Sequence, residues 1–309
     1  MKKEKNANLL AYLAVTFGNV IWGFSFMFMR IGMDAEGSTP TLMLSARFLV
    51  GLVAGFLLLL LKREKVQLRG KNWKGLILLA LVETAYFFFE TYGIYYTNST
   101  FTGVILSMVP VVSIATGAIF LHEYPGWRRG LLCLVPIAGV ILITLSGSAL
   151  GVITPIGILF LLLTCVFSAL FKTVNRSIAK DFSPLVRTIS SMAGSCIFYT
   201  IFGLGSVDWD FAAFVRPWAD TSFLLAVLAM GVFCSIAANT LVNYAAGKMS
   251  VVRLSVFGAF STVVSTLAGV IFLDEPMPVM IAVGAVLCIV GVWMVNRPQT
   301  QKKSEAVKE

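Results

Sequence analysis

Two glutamates inside one long apolar stretch are the residues of this chain best suited to chemistry. Glu83 and Glu90 lie seven residues apart, which puts both side chains on one face of a helix, and Tyr86 shares that face. An ionisable group at membrane depth costs about 2.5–3.5 kcal/mol for a central Asp on insertion scales, so such groups tend to mark substrate or proton pathways. We therefore predict that Glu83 and Tyr86 bind a substrate, with Glu83 as the candidate for proton coupling.

Depth separates the two carboxyl groups. At about 1.5 Å per residue, Glu83 lies about 15 Å from the start of its stretch at Trp73, near mid-membrane. Glu90 lies about 10 Å from the opposite end, and Arg47 lies about 9 Å from the same surface. Because buried charges normally pair, we predict a structural ion pair between Arg47 and Glu90. A functional role for Glu90 and a protonated, hydrogen-bonded, structural Glu83 are the alternatives.

Polar side chains on two other apolar stretches are predicted to share this binding site. Two of them lie on the first stretch of the chain. The other three recur every four residues on the eighth stretch and form one polar stripe. They are Asn19, Trp22, Ser235, Asn239 and Asn243. The alternative is ordinary hydrogen bonding between helices, worth about 0.6 kcal/mol per contact. Lys172 and Arg176 lie near the end of a stretch, where long basic side chains are expected to snorkel to the interface.

The composition requires most of the chain to lie in lipid. Of 309 residues, 58% are hydrophobic and 13% charged, and the mean hydropathy is +0.88, far from the balance of a soluble domain. The net charge of +9 does not indicate nucleic acid, because the basic residues fall in short segments between apolar runs. The five cysteines lie inside apolar runs without a CxxC pair, and there is one histidine. We therefore expect no disulfide framework, no metal and no cofactor.

Ten stretches are long and apolar enough to cross a bilayer as helices, which takes about 20 residues each. The first is too long for the apolar core of a signal peptide. The fold class predicted is all-α integral membrane, with ten transmembrane helices. The stretches are Leu9–Met33, Thr41–Leu61, Trp73–Thr97, Thr100–Leu121, Trp127–Gly147, Pro155–Ser177, Leu185–Ser206, Thr221–Gly247, Val251–Leu273 and Met277–Asn296.

The positions of the basic residues predict the orientation. If the N-terminus is cytoplasmic, 21 of the 24 Lys and Arg residues fall on the cytoplasmic side. The other three are Arg30, Arg47 and Arg216. This asymmetry follows the positive-inside rule. It predicts a multi-pass protein of the cell (plasma) membrane with both termini in the cytoplasm.

The chain also repeats itself with an offset of 152 residues. Residues 111–123 and 263–275 share eight identities in thirteen positions, including Glu123 and Glu275. Each half then holds five spans, and an odd number forces the second half to insert upside down, with a site at the midplane between the halves. Ser235 takes the place of Glu83 in the second half. The predicted division is 1–147 and 148–297 as inverted repeats, and 298–309 as a cytoplasmic polar tail.

Several motifs together resemble the EamA branch of the drug/metabolite transporter superfamily. They cover nearly the whole chain. They are Trp22-Gly23-Phe24-Ser25-Phe26, Arg47-Phe48, Tyr96-Thr97-Asn98-Ser99-Thr100, Pro110-Val111, Phe120-Leu121-His122-Glu123, Val270-Ile271-Phe272-Leu273-Asp274-Glu275, Gly284-Ala285 and Gly291-Val292. The resemblance implies a permease of two tandem EamA units with ten spans, which exports or exchanges small metabolites.

This chain departs from the family pattern in two ways. The second copy has Thr262 where the first has Pro110. The pattern also does not require carboxylates in the third span, where this chain has two. Because the superfamily handles amino acids, nucleotide sugars, cationic drugs and polyamine-like solutes, the resemblance does not choose the substrate.

The leading functional prediction is a secondary transporter of small metabolites, with amino acids as one candidate class, working by alternating access. An exporter of cationic drugs, with Glu83 as counter-charge, is the alternative. An intramembrane lipid-modifying enzyme is disfavoured because no nucleophile–base pair occurs, and the absence of a P-loop argues against ATP drive. The expected partners are a small-molecule substrate and the lipid bilayer. Small-residue patterns such as Gly51-x-x-x-Gly55 are expected to pack helices within a monomer, with a dimer as the alternative.

Overall fold

The computed structural model describes residues 2–33, 35–64, 67–96, 105–106, 109–122, 126–146, 154–272 and 279–296. Within these ranges all regular secondary structure is helical, which confirms the predicted all-α class. The helices are α1 Lys2–Met33, α2 Pro40–Lys62, α3 Trp73–Tyr95, α4 Val109–Leu121, α5 Trp127–Leu132, α6 Leu134–Ser146, α7 Pro155–Ser177, α8 Pro184–Gly205, α9 Phe211–Val215, α10 Thr221–Ala229, α11 Asn239–Ala246, α12 Val251–Val256, α13 Gly258–Phe272 and α14 Val279–Asn296. A short 3₁₀ turn, Arg216–Ala219, precedes α10, and a π-helical stretch, Met230–Ala238 (the π segment), joins α10 to α11.

Six helical stretches have the length and apolarity to cross a membrane. They are Leu9–Met33, Pro40–Lys62, Trp73–Gly93, Pro155–Ser177, Pro184–Gly205 and Thr221–Ala246. Many large apolar side chains on these helices are exposed, as lipid contact requires. The other four predicted spans coincide with shorter apolar helical stretches, namely Val112–Leu121, Gly130–Gly139, Val251–Ser261 and Ala282–Gly291. The count of ten spans therefore stays a prediction. Glu123, Glu275 and the tail 298–309 lie outside the described residues.

Three of the long helices begin in the same way. In α2, α7 and α8 a hydroxyl side chain accepts a hydrogen bond at 3.2 Å from the backbone N–H three residues on. Proline follows each cap in the first turn, where its missing N–H has no partner to lose. Such a cap contributes about 1 kcal/mol to helix stability. The pairs are Thr39-Pro40, Thr154-Pro155 and Ser183-Pro184.

In the residues that the structure describes, three of the predicted spans are interrupted as α-helices. The fifth is interrupted at Cys133 between α5 and α6, and the ninth at Phe257 between α12 and α13. The eighth changes from α-helix to the π segment at its centre and returns to α-helix at Asn239. Wide π turns are rare and frequently lie at functional sites. This one contains Ser235 and directly precedes Asn239.

The helices pack mainly across the two halves of the chain. Helix α3 packs against α7 and α8, α2 against α8 and the π segment, and α4 against α7. Helix α1 packs against α13 and against the stretch from α10 to α11, while α6 packs against α14.

Glycines allow the closest approaches between helices. A Cβ atom at Gly51 would lie 3.1 Å from the Ser235 Cβ, and one at Gly231 would lie 3.0 Å from the backbone N of Gly51. The predicted site residues Arg47, Glu83 and Asn239 lie where α2 and α3 meet the π segment and α11.

Candidate functional site

The Glu83 carboxyl group lies near the middle of α3 and is almost completely buried, at 1% exposure. Its Oε1 accepts a hydrogen bond from Asn239 Nδ2 at 3.4 Å, and the Ser191 hydroxyl lies beside it. The other oxygen, Oε2, is buried without a hydrogen-bond partner among the described residues. A buried polar atom left unpaired costs about 1–3 kcal/mol. Oε2 is therefore the atom of this site most available to a proton, a cation or a bound solute.

Asn239 and Ser235 come to the site from the second half of the chain. Asn239 is the first residue of α11 and meets Glu83, whereas Ser235 lies inside the π segment and meets Arg47. Both residues are buried. The structure thus brings two members of the predicted stripe to the charged residues of α2 and α3.

Arg47 is a buried guanidinium at the junction of these elements. Its Nε donates a hydrogen bond to Ser235 Oγ at 3.0 Å. Its Cζ lies 4.7 Å from the centroid of the Phe87 ring, within the range of a cation–π contact. Its charge also acts on both α3 carboxyl groups, Glu83 and Glu90. Arg47 is therefore part of the same electrostatic site as Glu83.

Glu90 lies two turns further along α3 and is half-buried. It accepts a hydrogen bond from the Tyr86 hydroxyl at 2.5 Å. Tyr86 was expected on the same helix face as Glu83, and its hydroxyl group is hydrogen-bonded to Glu90. Among the contacts of the described residues Arg47 bonds to Ser235 rather than to Glu90, so their direct ion pair stays a prediction.

The two predicted residues of α1 differ in what they reach. The Trp22 indole N–H donates to the backbone carbonyl of Cys234, in the π segment, at 3.0 Å. The Asn19 amide instead donates to Val15 O of its own helix at 2.7 Å. Trp22 thus binds the residue next to Ser235, whereas Asn19 forms a bond within α1.

Asn243, the third member of the stripe, belongs to a different cluster. Its Nδ2 donates to Thr188 Oγ1 at 2.8 Å, its Oδ1 accepts from the Asn175 amide, and its backbone O accepts from Arg187 Nη2 at 2.6 Å. Arg187 also donates to Asn175 O at 2.9 Å and to Asn175 Oδ1. We call Asn175, Arg187, Thr188 and Asn243 the α7–α8–α11 cluster. Both polar atoms of the Asn243 side chain are therefore hydrogen-bonded to other members of this cluster.

Sequence reasoning missed two buried residues of α8. Ser191, beside Glu83, was not among the predicted site residues, and Arg187 was counted with the cytoplasmic basic residues. Both are at most 1% exposed. A usable signal exists, because Thr188, Ser191 and Ser195 recur every three or four residues and so form a polar stripe on α8. Within the described ranges, no group of three or more His, Cys, Asp or Glu side chains could hold a metal ion.

Long apolar helices that enclose charged residues indicate a multi-pass membrane protein, and buried charges of this kind tend to mark substrate or proton pathways. Residues 9–145 and 155–297 each match the EamA-like transporter family. The chain belongs to that family, as two tandem units, which confirms the resemblance drawn from its motifs. The family indicates a transporter rather than an enzyme.

Two similar proteins match this chain over almost their full length. The Bacillus subtilis (strain 168) protein named "Uncharacterized transporter YcxC" is 29% identical over 296 residues, 93% of both chains. An "Uncharacterized transporter" of Archaeoglobus fulgidus is 24% identical over 292 residues, covering 92% of this chain and 96% of its own. A crystal structure at 17% identity superposes with a TM-score of 0.76 over 94% of this chain and 96% of that one, which supports the fold alone.

Proposed function

We propose that this protein is a secondary transporter of small metabolites, an exporter or exchanger, which works by alternating access around Glu83. Amino acids are one candidate substrate class. One observation carries the proposal: a carboxyl group near the middle of α3 is enclosed between the two halves of the chain and keeps one oxygen unpaired among the described residues. An unpaired carboxyl inside a membrane bundle marks a proton or substrate pathway by default.

The packing of the helices supports a two-fold arrangement of two five-helix repeats. The third helix of each half packs on the first helix of the other half, as α3 on α7 and the α10–α11 stretch on α1. The third also packs on the second of the other half, as α3 on α8 and the π segment on α2. The second helices, α2 and α8, pack on each other, as do α6 and α14 of the fifth spans. A two-fold axis generates this pattern, and inverted repeats with a midplane site transport by rocking.

The polar contacts of the site follow the same symmetry. The capped starts of α2 and α8 lie 144 residues apart, and this offset carries Arg47 to Ser191. The offset of 152 carries Glu83 to Ser235. The contact of Arg47 with Ser235 and the contact of Glu83 with Ser191 are therefore equivalent under the exchange of halves. The proposed axis passes between two charges of opposite sign, each of which lies beside a hydroxyl group.

In this proposal Glu83 exchanges its proton or binds the substrate. Asn239, Ser235, Trp22 and Tyr86 complete the binding surface, and residues 1–147 and 148–297 are the two rocking units. Both termini lie in the cytoplasm, the membrane is the cell membrane, and the protein works as a monomer. The structural ion pair of Arg47 with Glu90 is also part of the proposal.

An exporter of cationic drugs is the second candidate function. The unpaired Glu83 Oε2 favours it, because a carboxylate in an aromatic setting attracts a cationic solute. The two functions differ at Glu83. A cation site loses affinity at every pH when the charge is removed, whereas a proton site loses only pH-driven accumulation.

Transport itself is tested by counterflow. A thermal-shift screen of the purified protein against metabolites identifies a ligand, because binding to the folded state raises its stability. Proteoliposomes loaded with that ligand should then accumulate labelled ligand from outside without ATP. Protein-free liposomes are the control. Uptake that requires ATP, or that is not stimulated by internal ligand, would exclude a secondary transporter.

A further inference from the structure

Arg47 is a buried guanidinium that uses only part of its hydrogen-bonding capacity. The residue is 4% exposed, and its Nε donates to Ser235. Neither Nη atom forms a hydrogen bond or an ion pair with the described part of the chain. A buried charge with open donors costs free energy unless an acceptor is supplied. The two Nη atoms, which we call the Arg47 fork, have the spacing of the two oxygens of a carboxylate.

Three elements hold the Arg47 fork in place. The Arg47 Cζ lies 4.7 Å from the centroid of the Phe87 ring on α3 and 5.6 Å from that of Phe48 on α2. Both distances are within the range of cation–π contacts. The bond to Ser235 adds a contact from the π segment. A guanidinium held in this way loses little further side-chain freedom when it binds a ligand, which favours affinity.

Accessible surface lies beside this group on the inner side of α3. Leu79, Glu83, Tyr86 and Glu90 follow one another at spacings of four, three and four, which places them on one line of the helix. Leu79 and Glu83 are at most 1% exposed, whereas Tyr86 and Glu90 are half-buried. The opposite side of the helix is its lipid-facing side and carries Ile77, Leu78 and Leu81, each at least 49% exposed. The line therefore becomes accessible at Tyr86 and Glu90 on the side that faces the protein.

The Arg47 fork belongs to the same site as this accessible surface. The charge of Arg47 acts on Tyr86 and Glu90 as well as on Glu83. The Tyr86 ring also packs edge-to-face on the Phe87 ring that contacts Arg47, with 4.8 Å between the centroids. Glu90 accepts its hydrogen bond from Tyr86 and not from Arg47. In this arrangement the Tyr86 hydroxyl holds Glu90, and the Arg47 fork is open.

We propose that the Arg47 fork binds a carboxylate group of the transported solute, and that this carboxylate takes the place of Glu90 in the ion pair. The exchange replaces one carboxylate by another on the same guanidinium, while the Tyr86 hydroxyl binds the displaced Glu90. No buried charge is then left without a partner, which would be costly. The inference rests on the proposed transport function and narrows its substrates to solutes with a carboxylate. Glu83 remains available for the proton.

Carboxylates and their amides test this assignment in the full-length purified protein. The probes are the standard L-amino acids, sodium acetate and sodium succinate, each compared with the matching amide, which has a similar shape but no negative charge. Binding is measured as a rise in melting temperature at equal ionic strength. We expect at least one carboxylate to stabilise the wild type and its amide to bind about tenfold or more weakly, since a charge-assisted bidentate hydrogen bond is lost.

Four variants test the roles of Arg47, Glu90 and Tyr86 with the stabilising carboxylate. Arg47→Lys keeps the charge without the fork and should bind it about tenfold more weakly than the wild type. Arg176→Lys, the same change at a half-buried arginine outside the site, is the matched control and should bind as the wild type does. Glu90→Gln removes the competing carboxylate and should bind at least as tightly as the wild type. Tyr86→Phe releases Glu90 and should bind more weakly, and addition of Glu90→Gln should restore its affinity.

The amide comparison and Glu90→Gln keep the test conclusive if Arg47→Lys does not fold. The proposal is overturned if no carboxylate stabilises the wild type, if the amides stabilise it as strongly as the acids, or if Arg47→Lys binds as the wild type does. Loss of the carboxylate effect in Glu90→Gln would also overturn it, because Glu90 would then help to bind the solute instead of competing with it. Counterflow of a ligand that has no carboxylate would exclude this inference and leave the proposed transport function intact.

Discussion

Arg187 offers the most quantitative test of the packing described above, because a buried guanidinium joins three helices without a carboxylate among its contacts. It binds carbonyl oxygens of Asn175 and Asn243 near the C-terminal ends of α7 and α11. These ends carry the negative poles of the helix dipoles, which stabilise a cation by up to about 2 kcal/mol. The prediction is that Arg187→Met, similar in length and apolar, destabilises the protein although it removes a buried charge.

The magnitude follows from the three hydrogen bonds of Arg187. Each bond to a charged group contributes about 1.5–3 kcal/mol. The loss is partly offset, because the desolvation penalty of a buried ion, several kcal/mol, also disappears. We expect a net destabilisation of about 2–4 kcal/mol. Arg187→Lys keeps the charge but cannot reach both helix ends. The stability of this variant should therefore lie between that of Arg187→Met and that of the wild type.

Heating followed by size-exclusion chromatography in detergent gives the comparison without assuming two-state unfolding. Arg176→Gln is the matched control, since Arg176 lies in the last turn of α7, is half-buried and donates to Ala246 O at 3.2 Å. Its replacement should cost much less than that of Arg187. Equal melting temperatures for wild type and Arg187→Met would refute the idea that helix-end carbonyls stabilise this charge.

Three other predictions concern the site, the packing and the topology. Single Ala substitutions of Arg47 and Glu90 should each lower thermal stability, and the double variant should lose less than the sum; additive losses would mean that the two charges do not interact. Gly51→Leu should prevent the approach of α2 to the π segment and reduce the yield of folded protein in detergent, because its Cβ alone would already lie 3.1 Å from the Ser235 Cβ; a normal yield would contradict that packing. Reporter fusions after Gly70 and in the C-terminal tail should report cytoplasm and one after Asp210 the outside; an outside tail would exclude the inverted repeats.

Length and hydropathy predicted the helical class because lipid leaves few alternatives for the backbone. The charges on α3 were also predictable, since an ionisable residue is conspicuous in an apolar stretch. The approach of Asn239 to Glu83 agrees with the predicted stripe.

What the sequence could not supply was the winding of the helices between these residues. Ser235, Asn239 and Asn243 are evenly spaced, yet they reach Arg47, Glu83 and the α7–α8–α11 cluster respectively. The π segment changes the rotation per residue, and no sequence pattern in this stretch marks a wide turn. The burial of Arg187 was missed for a related reason: its partners are backbone carbonyls, which every sequence has.

The central claim is that Glu83 is the functional carboxyl group of a secondary transporter, and one comparison tests it most directly. Glu83→Gln keeps size and hydrogen bonding but cannot ionise. With the ligand from the screen, counterflow and uptake driven by a pH gradient are measured in proteoliposomes for wild type, Glu83→Gln and, as matched control on the same helix, Glu90→Gln. We expect Glu83→Gln to retain counterflow and to lose pH-driven accumulation, and Glu90→Gln to retain both in whatever fraction folds. Wild-type behaviour of Glu83→Gln in both assays would contradict the claim and make Glu83 a structural residue.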